Sequence, residues 1–473
     1  MSQGRETLPG MAMKASTKTR VVHRCAECGT EHPRWLGRCP DCDAWGSLAE
    51  VVSAPPRPTV GPSECTPLPI ADVAVSEAPR RATGIGELDR VLGGGFTLGS
   101  TTLLGGEPGI GKSTLLLQTL GRLAAAGHTC LLVGAEESPQ QVRERAARLG
   151  VLEPGLWLVA EASLPHVIAH VETVRPDVLA VDSVQTLLDP DLPGTPGSVT
   201  QVRECASRLT RLAREHAMAT ILVGHVTKDG SLAGPRTLEH VVDTVCSFDG
   251  DPHLGLRFLR ARKHRFGSTR EVGIFEMTEA GLLPVPDASA LFLADRHNGA
   301  AGSVVAATVE GARPMLVEVQ ALVATRDDGG RRVATGVDAN RLSLLLAVLE
   351  RHAGIDTRRA DVYASVAGGL RVAETGIDLA VLAAVAGVAE GLVIDDRTVV
   401  MGEVGLGGEV RGVAHAPLRV AEAARLGFTR VVGPTSLPRS AGVELVGVDT
   451  VAAALAAAFA RSNAVVSPSA RGR

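Results

Sequence analysis

Apolar positions along this chain fall into short runs separated by glycine and by caps. Residues 101–104 are β-branched or leucine, which predicts a buried strand. A glycine-rich stretch, G-E-P-G-I-G-K-S-T, follows at once, and residues 115–126 carry helical content that ends at Gly127. Residues 128–133 predict a second strand. Ser138, Pro139 and Gln141 then form a capping-box signature for a helix running to Gly150. Residues 177–182 and 219–223 predict two further strands, with a helix over 197–216 between them and a polar, mobile loop over 187–200. Strands alternating with helices predict an α/β domain with a largely parallel sheet. Residues 238–248 continue into a hairpin pattern. Farther on, 314–320 alternates like a strand, 342–351 reads as an apolar helix, 401–411 as a glycine-turned hairpin, and 418–426 as an Ala-rich helix closing at Gly427. The first 80 residues show no long periodic segment, and residues 50–80 are rich in Pro, Ser, Ala and Val, as a linker is.

Candidate chemistry sits where these strands end. Gly106, Glu107, Pro108, Gly109, Ile110, Gly111, Lys112 and Ser113, followed by Thr114, match the phosphate-cradling loop between a strand and a helix. Helix N-terminal N–H groups point at an anion there, and glycine at 109 and 111 lets the backbone wrap it. Lys112 reaches the β- and γ-phosphates of ATP, and the Ser113 hydroxyl binds Mg²⁺. Asp182 ends the 177–182 strand in the manner of a Walker B acid and completes the Mg²⁺ shell. Glu136 and Glu137 end the second strand, where either carboxylate can orient a water for attack. His225 ends the 219–223 strand and is placed to sense the γ-phosphate. Thr83 and Asp89 precede the first strand as helix-starting or nucleotide-edge residues. Arg260, Arg262, Lys263, Arg265 and Arg270 form the densest basic cluster, facing phosphate of a nucleic acid or of a neighbour's ATP. Residues 227–237 bear Gly, Lys and Arg and suit a DNA-facing or flexible loop.

Composition narrows the classes. The chain has 473 residues and a formal net charge of −4, so nucleic acid has to be met by a local patch. Aromatic residues make up 3%, too few for an extended base-stacking surface. Without a long apolar run or a secretory leader pattern, a cytoplasmic protein with no membrane partner is expected. Cysteine is used 8 times, and Cys25, Cys28, Cys39 and Cys42 form two C-x-x-C pairs, the spacing of a structural Zn²⁺ site with every position filled by sulfur. Trp35 and Trp45 are expected to pack this small module, which contacts DNA or protein.

A four-cysteine finger, the P-loop, V-D-S-x-Q-T and K-H-R-F-G occur in that order. In this the chain resembles the bacterial RadA (Sms) family of DNA-repair ATPases, in which K-N-R-F-G is usual; His264 stands where the family has Asn. The resemblance implies an α/β fold built from a RecA-like P-loop core, a small N-terminal zinc ribbon and a C-terminal α+β domain like that of Lon proteases. The boundaries expected are a disordered 1–20, the finger at 21–49, a linker at 50–80, the ATPase core at 81–283, the Lon-like domain at 284–461 and a disordered 462–473. It implies a DNA-dependent ATPase, a helicase or translocase acting on single-stranded and branched DNA with the RecA recombinase, assembled as a hexameric ring. By place in RecA-like domains, Glu136 is preferred over Glu137 for positioning water. By likeness to hexameric helicases, Lys263 and Arg265 reach across to the neighbouring ATP. Two other activities compete: a regulatory ATPase that ignores DNA, and an ATP-dependent protease. The last requires a Ser activated by a Lys. The matching stretch, Glu374-Thr375-Gly376-Ile377-Asp378, has no serine, and Arg419 stands at the lysine position, where a guanidinium does not act as a base.

Overall fold

The computed structural model describes residues 20–28, 30–53, 69–72, 79–134, 136–225, 237–250, 255–326, 330–440 and 442–461. Two compact units divide the chain, at residues 1–77 and 78–473. The expected disordered ends, 1–20 and 462–473, lie outside the described residues apart from Arg20, and so does most of the linker.

In the first unit, Arg20–Cys25 pairs antiparallel with Glu31–His32 on one side and Leu48–Ser53 on the other. The register sets Val21 against Val52 and Val22 against Val51, so pairing continues to Ser53, past the boundary expected at 49. The buried apolar cluster here consists of Cys25, Cys39 and Leu48. Trp35 and Trp45 do not join it, contrary to expectation: they are 61% and 78% exposed. With the ribbon's interior occupied by the four-sulfur site, two indoles have nowhere to go but the surface.

The second unit contains two large sheets among the described residues. The nine-stranded sheet is organised on Thr101–Gly106. On one side lie, all parallel, Ala219–His225, Val178–Asp182, Cys130–Gly134 and the edge strand Leu156–Ala160. On the other, Thr244–Gly250 is parallel, and Leu256–His264, Val272–Thr278 and Gly281–Pro284 follow as antiparallel strands. Alternate residues of one strand serve opposite faces. Cys130 and Leu132 pack with the helices Lys112–Ala125 and Pro139–Arg148, whereas Leu131 and Val133 pack with Leu164–Val174 and Val199–Glu215. Helices on both faces make the central strands continuous apolar runs, as the sequence implied.

The loop predicted to be mobile over 187–200 is instead pinned. Asp189 is fully buried and pairs with Arg208 at 2.5 Å. The Gln201 amide accepts from Asp189 N and donates to the carbonyls of Asp189 and Leu192. Polar residues that read as solvated are satisfied by one another.

The seven-stranded sheet runs in the order Arg332–Thr335, Ala360–Val366, Arg313–Thr325, Ser303–Glu310, Thr398–Val400, Arg430–Pro434, Glu444–Val448. Helices Ala339–Ala353, Asp378–Glu390 and Val451–Phe459 share one core with it, and Ala416–Arg425 packs on a second. The larger core also takes in Leu256, Val272 and Ile274 of the nine-stranded sheet, so apolar packing runs across the boundary expected at residue 283. A buried ion pair adds to it: Arg313 donates to Glu87 and to the carbonyls of Val285 and Pro286, both at 2.9 Å. No helix among the described residues is long and apolar enough to cross a membrane.

Candidate active site

The phosphate loop is built as its sequence demands. Thr101–Gly106 ends in it and Lys112–Ala125 begins in it. Gly109 and Gly111 have φ of +78° and +111°, conformations that L side chains avoid. A Cβ at Gly109 would meet nothing, whereas one at Gly111 would lie 2.7 Å from Met277 Cε. Gly111 is thus required by its backbone conformation, since the Met277 methyl at the end of a flexible side chain could give way. Lys112 is 4% exposed, and its Nζ donates to the carbonyls of Gly106 and Glu107, each at 2.9 Å. Burial lowers its pKa from the usual lysine value, and the charges of Asp182 and Glu136 oppose that shift.

Ser113, Gly134, Glu136, Glu137, Arg145 and Asp182 line one cleft beside the loop. The register that sets Gly134 opposite Asp182 brings the two strand ends together. The two neighbouring glutamates are treated differently. Glu136 accepts from the Ser183 hydroxyl, whereas Glu137 is held by Arg145 at 2.5 Å. Arg145 lies on Pro139–Arg148, whose predicted capping box is present: Ser138 Oγ accepts from Gln141 N, and Gln141 Oε1 from Ser138 N. The backbone of His225 pairs with Gly106, next to the loop. Its side chain and residues 226–236 lie outside the described residues. Thr83 and Asp89 form a turn of their own, Thr83 N donating to Asp89 Oδ1 at 2.7 Å.

Lys263, His264 and Arg265 stand at the far end of the sheet. His264 pairs with Thr244, which pairs with Thr102, while Gly106 pairs with Phe248. Four residues of strand, roughly 13 Å at 3.3 Å per residue, separate the motif's level from the chain's own P-loop. Lys263 Nζ donates to the carbonyls of Glu239 and Val242, at 2.6 and 2.8 Å, closing the Thr237–Val241 helix. Burial, then the charge of Arg265, lowers the pKa of Lys263. Arg265 pairs with Asp243 at 3.0 Å, and the other oxygen of Asp243 accepts from Thr101 N at the foot of the P-loop strand. His264 turns inward. Its Nδ1 lies 2.9 Å from Thr244 Oγ1, burial lowers its pKa, and a Cβ at Gly267 would come within 2.7 Å of its ring.

The four cysteines converge. Cys25 and Cys42 sulfurs lie 3.6 Å apart, as do those of Cys28 and Cys39. All four fall within 4.8 Å of one another. A tetrahedral ion with Zn–S bonds of 2.3 Å places its sulfurs about 3.8 Å apart, so the site fits zinc. A hydrogen bond with Ser47, then one with the Cys28 backbone, lowers the Cys25 thiol to about 6. Against a hydrogen bond with the Ala44 backbone, the crowding of sulfurs around Cys42 pushes it up to about 12, so the first thiolate forms at Cys25.

In the C-terminal sheet, Arg419 is 1% exposed and grips Glu374 through both terminal nitrogens, at 2.7 and 2.5 Å. A Cβ at Gly376 would lie 2.9 Å from Arg419 Nη1, so Arg419 packs against the 374–378 stretch.

With this geometry in view, comparison with known proteins is decisive. The DNA repair protein RadA of Bacillus subtilis is 44% identical over 453 residues, covering 93% of this chain and 98% of that one. RadA of Pseudomonas aeruginosa is 48% identical over 451 residues, covering 93% and 99%. The chain belongs to the RadA family of DNA repair proteins. A KaiC ATPase family model matches residues 81–153, and a rubredoxin metal-binding-domain model matches residues 23–50. RadA-family membership with these two domains makes ATP with Mg²⁺ and structural Zn²⁺ the cofactors, as the sequence implied.

Three residues of this RadA-family site have contacts that sequence reasoning does not reveal. Ser183 is visible only as part of V-D-S-x-Q-T, with no partner implied, and Arg145 looks like an exposed helix arginine. Arg257 is buried at 4% exposure, and its Nε donates to Ile110 O at 3.1 Å, supporting the P-loop from behind. Its one sequence signal is a charge in the apolar run Leu256–Leu259.

Zinc removal has a clear expected outcome. With so small an apolar core, the ribbon depends on the metal, whose binding is worth roughly 10–16 kcal/mol in comparable peptides. A strong chelator should add four thiols to those that a thiol reagent titrates. Cys130, Cys205 and Cys246 should stay silent while the second unit remains folded, since burial raises them to about 12, 11 and 12. An unchanged thiol count after the chelator has stripped the zinc would contradict this.

Proposed function

We propose that this chain is an ATP-driven DNA motor acting in the cytoplasm on single-stranded and branched DNA during recombinational repair, alongside RecA, as a ring of six copies. One observation carries the reading: the Lys263–Arg265 motif lies at the opposite end of the sheet from its own P-loop. Cations so placed serve a neighbouring copy's triphosphate or a DNA backbone. Arg265 is 48% exposed at its side chain and can exchange Asp243 for a phosphate. Because Asp243 also holds Thr101 N, that exchange is felt at the foot of the same chain's P-loop strand.

In this mechanism Lys112 leaves the Gly106 and Glu107 carbonyls for the β- and γ-phosphates. Ser113 and Asp182 would hold Mg²⁺, which would supply positive charge to the phosphate oxygens. Glu136 orients the attacking water and accepts its proton. His225 senses the γ-phosphate from the end of its strand. The C-terminal domain, with no serine in residues 374–378 and with Arg419 where a Lon-type site needs Lys, serves as scaffold and not as a protease.

ATP turnover measured with and without single-stranded DNA tests the reading. Stimulation by DNA is expected; turnover indifferent to DNA would favour a regulatory ATPase instead. Arg265→Ala should keep nucleotide affinity within about threefold yet lose roughly 10³-fold in DNA-stimulated turnover. Normal strand separation by that variant would remove Arg265 from the mechanism.

A further inference from the structure

Two adjacent glutamates of identical chemistry end one strand, and something has to tell them apart. Ser183 is fully buried at the end of Val178–Asp182. Its hydroxyl donates across the sheet to Glu136 Oε1, tying the second strand's exit loop to the Walker B strand. Its own carbonyl accepts from Thr186 Oγ1 at 2.7 Å, which fixes the turn Val184–Thr186 beneath it. Glu137, in the same cleft, is instead paired with Arg145, on a helix whose start is locked by the Ser138–Gln141 box.

A glutamate side chain has three rotatable bonds, and a water-orienting carboxylate loses rate for each fraction of time it spends elsewhere. A hydroxyl anchored in the core removes that freedom without adding charge. We infer that Ser183 is a positioning residue for ATP hydrolysis: its hydroxyl holds the Glu136 carboxylate in the cleft with Ser113 and Asp182, while Arg145 keeps Glu137 out of competition. Ser183 acts through Glu136. The inference rests on the assignment of Glu136 as the water-positioning residue proposed above.

The test uses the full chain with ATP and Mg²⁺. Ser183→Ala should lower kcat roughly 10- to 100-fold, with KM and equilibrium ATP affinity within about twofold of the parent. Ser183→Thr, which keeps the hydroxyl, should recover most of that loss. Arg145→Gln should lower kcat by a smaller factor, roughly three- to tenfold, again without weakening ATP binding. A merely structural serine would instead lose ATP affinity, melting temperature and kcat together, and that pattern overturns the inference. So does a Ser183→Ala variant with parental kcat, or a folded Ser183→Thr no better than alanine. If the threonine methyl prevents folding, the split between kcat and ATP affinity in Ser183→Ala decides. Glu136→Gln separates the two layers: retained turnover there defeats the Glu136 assignment, whereas abolished turnover beside an unaffected Ser183→Ala defeats only the role of Ser183.

Discussion

Replacing Lys112 with alanine should abolish ATP turnover, lowering it by roughly 10³-fold or more, while leaving the fold in place. The lysine is buried at the mouth of the cradle, and its partners in the free protein are two loop carbonyls. Those carbonyls can turn to water once the ammonium is gone, so loss of the side chain leaves no buried charge unpaired. The folding cost should therefore be small and the catalytic cost large. Burial already lowers the lysine's pKa, so the site carries a cation that benefits from a triphosphate partner. By the same sign, ATP affinity should fall as pH rises through that lowered pKa, before a free lysine would titrate; an approaching triphosphate raises the pKa and so takes up a proton. Near-normal turnover by Lys112→Ala in a coupled-enzyme assay would overturn the P-loop assignment.

Arg313→Ala should cost about 3–5 kcal/mol of stability, the largest effect expected of a residue outside the candidate active site. Glu87 and Arg313 are 3% and 7% exposed at their side chains and face each other between the nine-stranded and seven-stranded sheets. Glu87 also accepts from Ile274 N at 2.9 Å. Removing the guanidinium strands a carboxylate in the core and also frees the carbonyls of Val285 and Pro286. Glu87→Gln should cost clearly less, because the amide oxygen can still accept from Ile274 N and Arg313 keeps its carbonyl partners. Chemical denaturation of both variants checks the asymmetry; an equal loss in Glu87→Gln would mean that an uncompensated guanidinium costs as much as the stranded carboxylate.

Much of this molecule was legible in the chain. The P-loop, the Walker B strand and the two C-x-x-C pairs are local patterns, and local patterns carry their own geometry: glycine at positive φ, a helix N-terminus aimed at an anion, sulfurs at hairpin spacing. Apolar runs at the strand positions announced a sheet covered on both faces. The capping box before Pro139–Arg148 was readable residue by residue, because all its partners lie within four positions.

Other features needed partners far away in sequence. Residue type predicts that Trp35 and Trp45 pack the ribbon, yet sulfur fills its interior and the indoles stay exposed. The loop after residue 187 looked mobile by composition, and only the meeting of Asp189 with Arg208 and Gln201 makes it rigid. His264 was an open substitution in a basic motif; its inward turn is decided by Thr244 and Gly267. The hydrogen bond to Glu136 comes from Ser183, 47 positions away, whereas Glu137 pairs with Arg145. By itself, then, the sequence determined the loop that holds phosphate, the acids beside it, the zinc ligands and the α/β class, since each is specified by neighbours along the chain. Tertiary structure alone decided which partner each of the two cleft carboxylates takes, where the basic motif stands relative to its own P-loop, and which polar groups are buried. Those outcomes depend on pairings between strands and helices that no local pattern encodes.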